Sequence, residues 1–499
     1  MEELKHASIH HTAQKLSSDI KTMKVYDNLF KTVQKLVCKP NVDRYDMKDT
    51  LEDAIKSNGL EIEIRNIIFH LIRSSLKSEI KTTLSVIDPL NYLKRAGIQW
   101  DRRVRKSLNA MSNELQVPIH GQPRCNADKE EFMCKWEELS NYSLDLTHYR
   151  PVYAPKDLLE VLLSLKGPSK VDPTENENVP KWEFSHIALP VKNLFELRTH
   201  FADLLRNEGS TDLTLHCQKI LEYKHSPLCQ QVLKKGNTPA PYRGTLWSYV
   251  LGSHVNNHHV QHWEKLRNTV LSIDHIVDKL VFKDVQLTAS NDDQYFVFED
   301  VLYQVMLCFS RDTEIAEMVQ SEAPAVKGKQ YEGPPSGVVP FHGICMFAAP
   351  FCYLYDSPIR LYYTFRAFYI RYCHRLTTIN THPQGIISLC LLFEKLLQTH
   401  EPQLWSHFRE LQIQPIRVIF KWLMRAFSGH LPPDQLLILW DLILGFDSLE
   451  VLSLFAIIVL SFRKESLMQV TSLDSIEAIL ADLSSVKVLP LIQLALSRD

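Results

Sequence analysis

The chain has 499 residues, 56 basic and 58 acidic side chains and ten cysteines. Its length suffices for roughly two to four domains, and the near balance of charge gives no bulk electrostatic reason to expect nucleic-acid binding. No two cysteines form a C-x-x-C pair, which favours buried thiols in a reducing compartment over a disulfide framework or a zinc ribbon.

The N-terminus and the longest apolar run bear on where the protein resides. The first residues, MEELKHASIHHT, are charged from the second position and lack the apolar segment of a signal peptide. The longest apolar run extends from Val451 to Phe462, which is shorter than the roughly 20 residues that a membrane helix requires. We therefore expect a cytoplasmic protein without a transmembrane segment.

Helix is predicted along most of the chain, so the predicted fold class is all-α. Glycine is sparse, with 15 residues, and strong helix formers fill long segments. Between Asp49 and Leu76, apolar residues recur at spacings of three and four, which predicts one buried helical face. Clusters of proline, glycine, asparagine and aspartate predict three loops, at residues 117–130, 167–180 and 321–337.

Two polar runs contain residue types that can bind ligands, and we interpret both as exposed helix surfaces. The first run has His254, His258 and His262 at intervals of four, with His259 beside them. This spacing occurs in metal sites, but no cysteine, aspartate or glutamate within the run completes a ligand set, so no metal site is predicted. The second run is basic and consists of Arg102, Arg103, Arg105 and Lys106. A solvated surface is preferred there to a lipid or phosphate site.

We place a domain boundary near Lys234, ahead of the segment GNTPAPYRGTLW. Residues 1–233 then form a helical N-terminal region to which no motif assigns a role. Residues 234–487 form a second helical domain, followed by a C-terminal tail at residues 488–499. Half of the chain therefore carries no functional prediction.

Four short motifs follow one another in the second domain. They are YRGTLWSYVLG with Arg243 and Trp247; VFKDVQLT with Asp284, Leu287 and Thr288; PFHG with His342 and Gly343; and FKWLMRAFSGHLPPDQLLILWDLILGFDSLEV with Trp440 and Asp441. Their order and spacing resemble the TBC domain family, a helical fold that stimulates GTP hydrolysis by Rab-type small GTPases. The resemblance extends into the N-terminal region through RPVYAPKDLLEVLLSL, residues 150–165.

The last motif segment also predicts its own local structure. Pro432 and Pro433 suit the first turn of a helix, and the apolar run LLILWDLIL predicts that this helix is buried. Gly445 is suited to a left-handed helix stop. Asp447 and Glu450, three residues apart, resemble a capping box that opens the next helix.

The resemblance implies that the second and third motifs supply catalytic side chains. In the family, I-x-x-D-x-x-R-T provides an arginine finger and Y-x-Q-G provides a glutamine finger. Here Leu287 stands at the arginine position and His342 at the glutamine position. Arginine neutralises charge on the transferring phosphoryl group, and the amide orients the attacking water. Leucine can do neither, and loss of an arginine finger costs roughly 4–7 kcal/mol of barrier lowering.

Several side chains are candidate substitutes for the two fingers. A neutral imidazole at His342 has one donor and one acceptor and could hold a water; alternatively, the ring is packed beneath the surface. Lys283 shares a helix face with Leu287, although lysine lacks the planar fork of arginine. Lys279, Lys327 and Lys329 are further candidate cations.

The implied function is regulation of a Rab small GTPase, with stimulation of GTP hydrolysis weak or absent. GTP and Mg would belong to the partner, since the chain has no phosphate-binding G-x-x-x-x-G-K-S/T loop. Membrane association would be indirect, through the GTPase on an endomembrane. The alternatives are a non-catalytic Rab-binding adaptor and a helical scaffold in membrane traffic. The residues expected at the GTPase interface or in its supporting motifs are Arg243, Trp247, Asp284, Thr288, Gly343, Trp440 and Asp441.

Overall fold

The computed structural model describes residues 14, 17–18, 20–22, 26–38, 44–57, 59–82, 91–165, 184, 187, 189–205, 213–320 and 333–497. The regular secondary structure of this part of the chain is helical apart from two very short strands, which confirms the all-α prediction. The loop predicted at residues 167–180 and most of the loop at 321–337 lie outside the described residues.

The helices before the predicted boundary are α1 (Tyr26–Val37), α2 (Arg44–Ser57), α3 (Leu60–Thr82), α4 (Asn91–Leu115), α5 (Asn126–Cys134), α6 (Pro155–Leu163), α7 (Leu194–His200), α8 (Leu213–Tyr223) and α9 (Ser226–Lys234). Those after it are α10 (Ala240–Leu251), α11 (Asn257–Ser272), α12 (Ile276–Leu287), α13 (Glu299–Arg311), α14 (Thr313–Gln320), α15 (Pro358–Phe368), α16 (His374–Thr377), α17 (Ile386–His400), α18 (Pro402–Glu410), α19 (Pro415–Met424), α20 (Pro433–Phe446), α21 (Glu450–Phe462), α22 (Lys464–Leu467), α23 (Leu473–Ala481) and α24 (Val488–Leu496). Short 3-10 turns occur at Leu139–Asn141, Ala202–Leu204, Ala289–Asn291, Phe296–Phe298, Cys345–Phe347 and Ala349–Tyr353, and a π-turn at Tyr369–Cys373.

One hydrophobic cluster extends through most of the described chain, from Leu93 in α4 to Leu496 in α24. Its largest fully buried side chains include Trp247, Trp422 and Trp440. All ten cysteines are free and seven of them are buried, in agreement with the expected use of cysteine as a core residue.

A small antiparallel ribbon joins the N-terminal region to the second domain. Strand β1 (Gln122–Pro123) pairs with β2 (Ile273–Asp274). Next to the ribbon, Arg124 pairs with the buried carboxylate of Asp278 at 2.9 Å, which also binds Arg311 at 2.7 Å. The segment predicted as a loop at residues 117–130 therefore contains β1 and, from Asn126, the start of α5.

The single buried face predicted between Asp49 and Leu76 is wrong. The pattern belongs to two helices, α2 and α3, because Gly59 interrupts it with a φ of +69°. Ala54 and Leu71 are buried, whereas Ile68 is exposed. The apolar spacing continues on both sides of Gly59, so it did not reveal that the helix ends there.

The predicted local structure of the last motif is partly confirmed. Helix α20 begins at Pro433 and is buried along its length, as expected. However, the helix continues through Gly445, and Asp447 takes the left-handed position with a φ of +52°. Gly445 is required for a different reason, since a Cβ there would lie 2.5 Å from the backbone nitrogen of Lys234 in α9.

The predicted capping box is also wrong. The Asp447 carboxylate pairs with Arg371, and with Arg73 of α3 at 3.1 Å. The hydroxyl of Ser448 instead accepts a hydrogen bond from the backbone N–H of Glu450 at 3.3 Å. The carboxylate is therefore bound by two guanidinium groups and does not cap the N-terminus of α21.

Packing crosses both predicted domain limits, although the division itself stays a prediction. Helix α9, before the limit at Lys234, packs along α20. Helix α24 falls in the predicted tail, yet Val488, Ile492 and Leu496 are buried in it. The tail is therefore mostly a core helix. None of the helices in the described part of the chain is long and apolar enough to cross a membrane.

Candidate functional site

The first signature forms the C-terminal half of α12. The helix starts at a cap in which the His275 ring accepts the N–H of Val277, and its apolar residues pack inward. Asp284 is buried, whereas Leu287, the last residue of the helix, is 40% exposed. The arginine-finger position is thus at the surface and carries an apolar side chain.

Asp284 joins the two signatures. Its carboxylate accepts hydrogen bonds from the backbone N–H groups of Gly343 at 2.6 Å and Cys345 at 2.9 Å. The Thr288 hydroxyl donates to the Asp284 carbonyl at 2.6 Å. Burial raises the pKa of Asp284, and the two backbone donors oppose this rise. The motif aspartate therefore holds the second signature against the end of α12.

The backbone of His342 is held from two further regions of the chain. Its N–H donates to the Tyr153 carbonyl at 2.9 Å, and its own carbonyl accepts from Nη2 of Arg425 at 2.8 Å. The Tyr153 ring also stacks on Phe341, with 5.2 Å between centroids. The His342 residue itself is partly exposed.

Gly343 is needed for the approach of Arg425. Its φ of +97° lies in the region that favours glycine, and a Cβ would lie 2.4 Å from the guanidinium carbon of Arg425. The G of the second signature thus serves both a turn and a close packing contact.

Sequence reasoning did not single out Tyr153 or Arg425. Both lie inside segments that carry the family resemblance, and a cation directly after the apolar helix α19 was the available signal for Arg425. Their contacts with His342 join positions far apart in the chain, so local spacing could not predict them.

The candidate substitute cations near Leu287 are already engaged. Lys279 forms an ion pair with Asp274. Lys283 donates to the backbone carbonyl of Leu146 in the N-terminal region at 3.2 Å. Lys327 and Lys329 lie outside the described residues. The structure therefore offers no support for Lys283 as a free cation beside the finger position.

The outer motif residues form a buried polar cluster. Asp441 accepts from Nε of Arg243 at 3.0 Å and from the Trp247 indole at 2.6 Å. Burial raises the pKa of Asp441 to about 6, and Arg243 opposes the rise. Trp440 is fully buried and stacks on Phe368. These four motif residues are buried in the core, so they act as supporting motif residues, and the assignment of a GTPase interface stays a prediction.

The histidine run is not a single helix face, because α11 begins at Asn257 and leaves His254 outside it. His262 bonds the Tyr363 hydroxyl at 2.8 Å. It also lies near two carboxylates missed by sequence reasoning, Asp312 and Glu314, with ligand atoms within 4.8 Å of one another. Arg366 binds both carboxylates, at 2.7 and 2.5 Å. A guanidinium thus already supplies the positive charge that a metal would bring.

The basic run is exposed on α4, as interpreted. Its members are Arg102, Arg103, Arg105 and Lys106. They flank the buried residue Val104, so they form the outer face of an amphipathic helix.

Fold and site together define an all-helical protein in which two signature segments are joined through one buried carboxylate. The Rab-GTPase-TBC domain model matches residues 341–468. TBC1 domain family member 19 of Homo sapiens is 40% identical over 505 residues, which cover 96% of each chain. The chain therefore belongs to the TBC domain family, which confirms the resemblance carried by its motifs.

More distant similarities are local or weak. The TBC domain-containing protein kinase-like protein of Dictyostelium discoideum is 29% identical over 138 residues, 27% of this chain and 13% of that one. Among solved structures, the Chlamydomonas flagellar RabGAP TBC domain covers 62% of this chain and 98% of its own, with a TM-score of 0.41 and 14% identity. The Ypt/Rab-GAP domain of Gyp1p covers 61% and 97%, with a TM-score of 0.41 and 12% identity.

Proposed function

We propose that this protein is a TBC-type regulator of Rab small GTPases that binds its Rab through the surface containing Leu287 and His342. The proposal rests on one contrast: the residues that hold the two signatures together are retained, whereas the residue at the arginine-finger position is changed. Asp284 binds the second signature through two short hydrogen bonds, while the finger position next to it is an exposed leucine.

Weak or absent stimulation of GTP hydrolysis follows from this contrast. The two lysines of α12 give no support for a replacement of the arginine, since Lys279 pairs with Asp274 and Lys283 donates to the Leu146 carbonyl. The hydrolytic site, GTP and Mg belong to the GTPase, so the chain is a regulator and not an enzyme in its own right. Its expected location is cytoplasmic, with peripheral association to an endomembrane through the bound Rab.

Binding to a Rab panel tests the proposal. The full-length chain is immobilised and offered each Rab with GDP, with a non-hydrolysable GTP analogue and with GDP plus aluminium fluoride. We expect at least one Rab to bind in the GTP-like state. Aluminium fluoride should not raise the affinity much, because the protein has no arginine at the finger position to stabilise the charge of the transition state.

A matched pair of variants locates the surface. Leu287→Asp should abolish Rab retention, whereas Leu494→Asp, at an exposed leucine of α24, should leave it unchanged. Retention of no Rab in any nucleotide state would refute the proposed function and favour a helical scaffold. Strong preference for the aluminium fluoride state would refute only the conclusion that the protein lacks a catalytic finger, and Rab binding itself would stand.

A further inference from the structure

Two polar atoms at the second signature lack partners among the described residues. They are Nδ1 of His342 and Nε of Arg425, and both atoms are buried. A buried polar atom without a hydrogen bond costs about 1–3 kcal/mol, so its retention requires an explanation. Arg425 also has no carboxylate within ion-pair distance in the part of the chain that the structure describes. Within the described chain its guanidinium donates one hydrogen bond, to the His342 carbonyl.

A single peptide group is bound at both ends by opposite charges. In the peptide between His342 and Gly343, the carbonyl faces the Arg425 guanidinium at 2.8 Å and the N–H faces the Asp284 carboxylate at 2.6 Å. The preceding N–H of His342 is bound by Tyr153. These three contacts fix the backbone from which the imidazole projects.

The turn that carries Arg425 is itself held in an unfavourable conformation. Ala426 and Phe427 follow with φ values of +47° and +64°, which cost energy for residues other than glycine. The Trp440 indole donates to the Ala426 carbonyl at 2.9 Å, and the Ser428 hydroxyl donates to the Met346 carbonyl at 2.5 Å. The turn is thus anchored both to α20 and to the residues after the second signature.

We propose that Arg425 is a positioning residue that fixes the His342–Gly343 peptide and keeps the His342 imidazole neutral. In the neutral ring one nitrogen carries no proton, so Nε2, the ring nitrogen opposite the buried Nδ1, can accept a hydrogen bond from a water. On a bound Rab it orients the water that attacks GTP and transfers no proton itself. This role for His342 rests on the proposed function, whereas the charge state of the ring is a property of the free protein.

The charges around the ring support the neutral form. Burial lowers the pKa of His342, the Arg425 guanidinium lowers it further, and Asp284 on α12 opposes both. Tyr153 from the N-terminal region and Cys345 after the signature are the other titratable groups here, and burial raises the pKa of each, so both stay uncharged. Below its pKa the ring has two donors and no acceptor, so it can no longer accept a bond from water.

Titration of histidine in the free full-length protein tests the inference. Isotope-labelled histidine resonances are followed against pH by NMR, and His342→Gln assigns the resonance. Arg425→Gln keeps a donor but removes the charge, whereas Arg425→Lys keeps the charge. We expect His342 to titrate at higher pH in Arg425→Gln than in the wild type, with Arg425→Lys close to the wild type.

The opposite pattern overturns the inference. An unchanged titration in Arg425→Gln, or an equal shift in both variants, would show that the charge of Arg425 does not control the ring. If circular dichroism shows that Arg425→Gln does not fold, Arg425→Met is used in its place, because it also removes the positive charge.

A functional readout separates this inference from the proposed function. In a Leu287→Arg background, Arg425→Gln should lose more stimulation of GTP hydrolysis at about pH 6 than at about pH 8, because a raised pKa protonates the ring at the lower pH. General structural damage would lower both rates by the same factor, which would overturn the inference. Retention of no Rab would refute the proposed function and the water-orienting role, while the titration still decides the charge of His342.

Discussion

At the scale of single residues, the second signature shows which parts of a site sequence reasoning can reach. The aspartate, threonine and glycine of the motifs were identified in advance, and the structure brings Asp284 and Gly343 within hydrogen-bonding distance. The partners of His342 were not predicted, because Tyr153 and Arg425 reach it through contacts between distant chain segments. Motif spacing encodes local geometry but not such long-range pairs.

Gly343→Ala adds only one methyl group, but we predict that it destabilises the protein. The new Cβ would occupy the place of the Arg425 guanidinium, and the φ of +97° is unfavourable for alanine. We expect a loss of roughly 1–3 kcal/mol in the free energy of unfolding, measured by urea denaturation. Gly59→Ala, also at a positive φ but with no atom within 4 Å of the new Cβ, is the control for backbone strain alone. An equal loss in both variants would contradict a specific role for the Arg425 contact.

At the scale of helices, buried polar pairs determine how the elements meet. Asp441 of α20 binds Arg243 and Trp247 of α10, so one carboxylate sets the orientation of two helices. The sequence identified these residues as family motifs, but it could not show which helices their polar contacts would join. The same uncertainty affected Gly445 and Asp447, whose roles depend on α9 and α3 packing against α20.

Asp441→Asn is predicted to destabilise the fold strongly. The substitution leaves the buried Arg243 guanidinium without a counter-charge, which typically costs about 3–5 kcal/mol. Chemical denaturation measures the loss. Glu131→Gln removes one partner of the exposed pair with Lys135 and should change stability by less than about 1 kcal/mol. A loss at Asp441 no larger than that at Glu131 would contradict the assignment of this pair to the core.

At the scale of the whole molecule, the N-terminal region is part of the structure that supports the signatures. It supplies β1, the Arg124 pair with Asp278, the Leu146 contact with Lys283 and the Tyr153 contact with His342. The sequence predicted its helical character but gave it no role, since its contribution consists of contacts with residues over a hundred positions away.

A fragment limited to residues 236–487 should therefore not fold as the full chain does. It would lose the packing of α9 on α20 and of α24 on α20 and α21, and would expose their apolar faces. We expect aggregation or a broad thermal transition by calorimetry, against a cooperative transition for the full-length protein. Cooperative unfolding of the fragment at the same temperature would show that the predicted boundaries enclose an independent domain.

Stability should fall as the pH drops below about 6.5. Burial lowers the pKa of His70 and His275 to about 4 and that of His430 to about 3. Because the unfolded chain binds these protons first, the stability is complete above pH 6.5 and decreases towards pH 4, by on the order of 1–2 kcal/mol per histidine at pH 5. Asp441, with its raised pKa, partly offsets the loss.

Urea denaturation at several pH values measures this decrease. His430→Gln removes one of the three titrating groups and should reduce the pH dependence relative to the wild type. Equal stability of the wild type at pH 7 and pH 5 would contradict the burial of neutral histidines.

The most direct test is single-turnover GTP hydrolysis by a retained Rab with the full-length protein. Wild type is compared with Leu287→Arg, alone and combined with His342→Gln, and with Leu494→Arg as the surface control. We expect little stimulation by the wild type and the control, and a gain of about 10³-fold or more with Leu287→Arg, because the missing charge is restored on an intact support. Strong stimulation by the wild type, with no gain from Leu287→Arg, would show that the chain has a working finger elsewhere and would contradict the assignment.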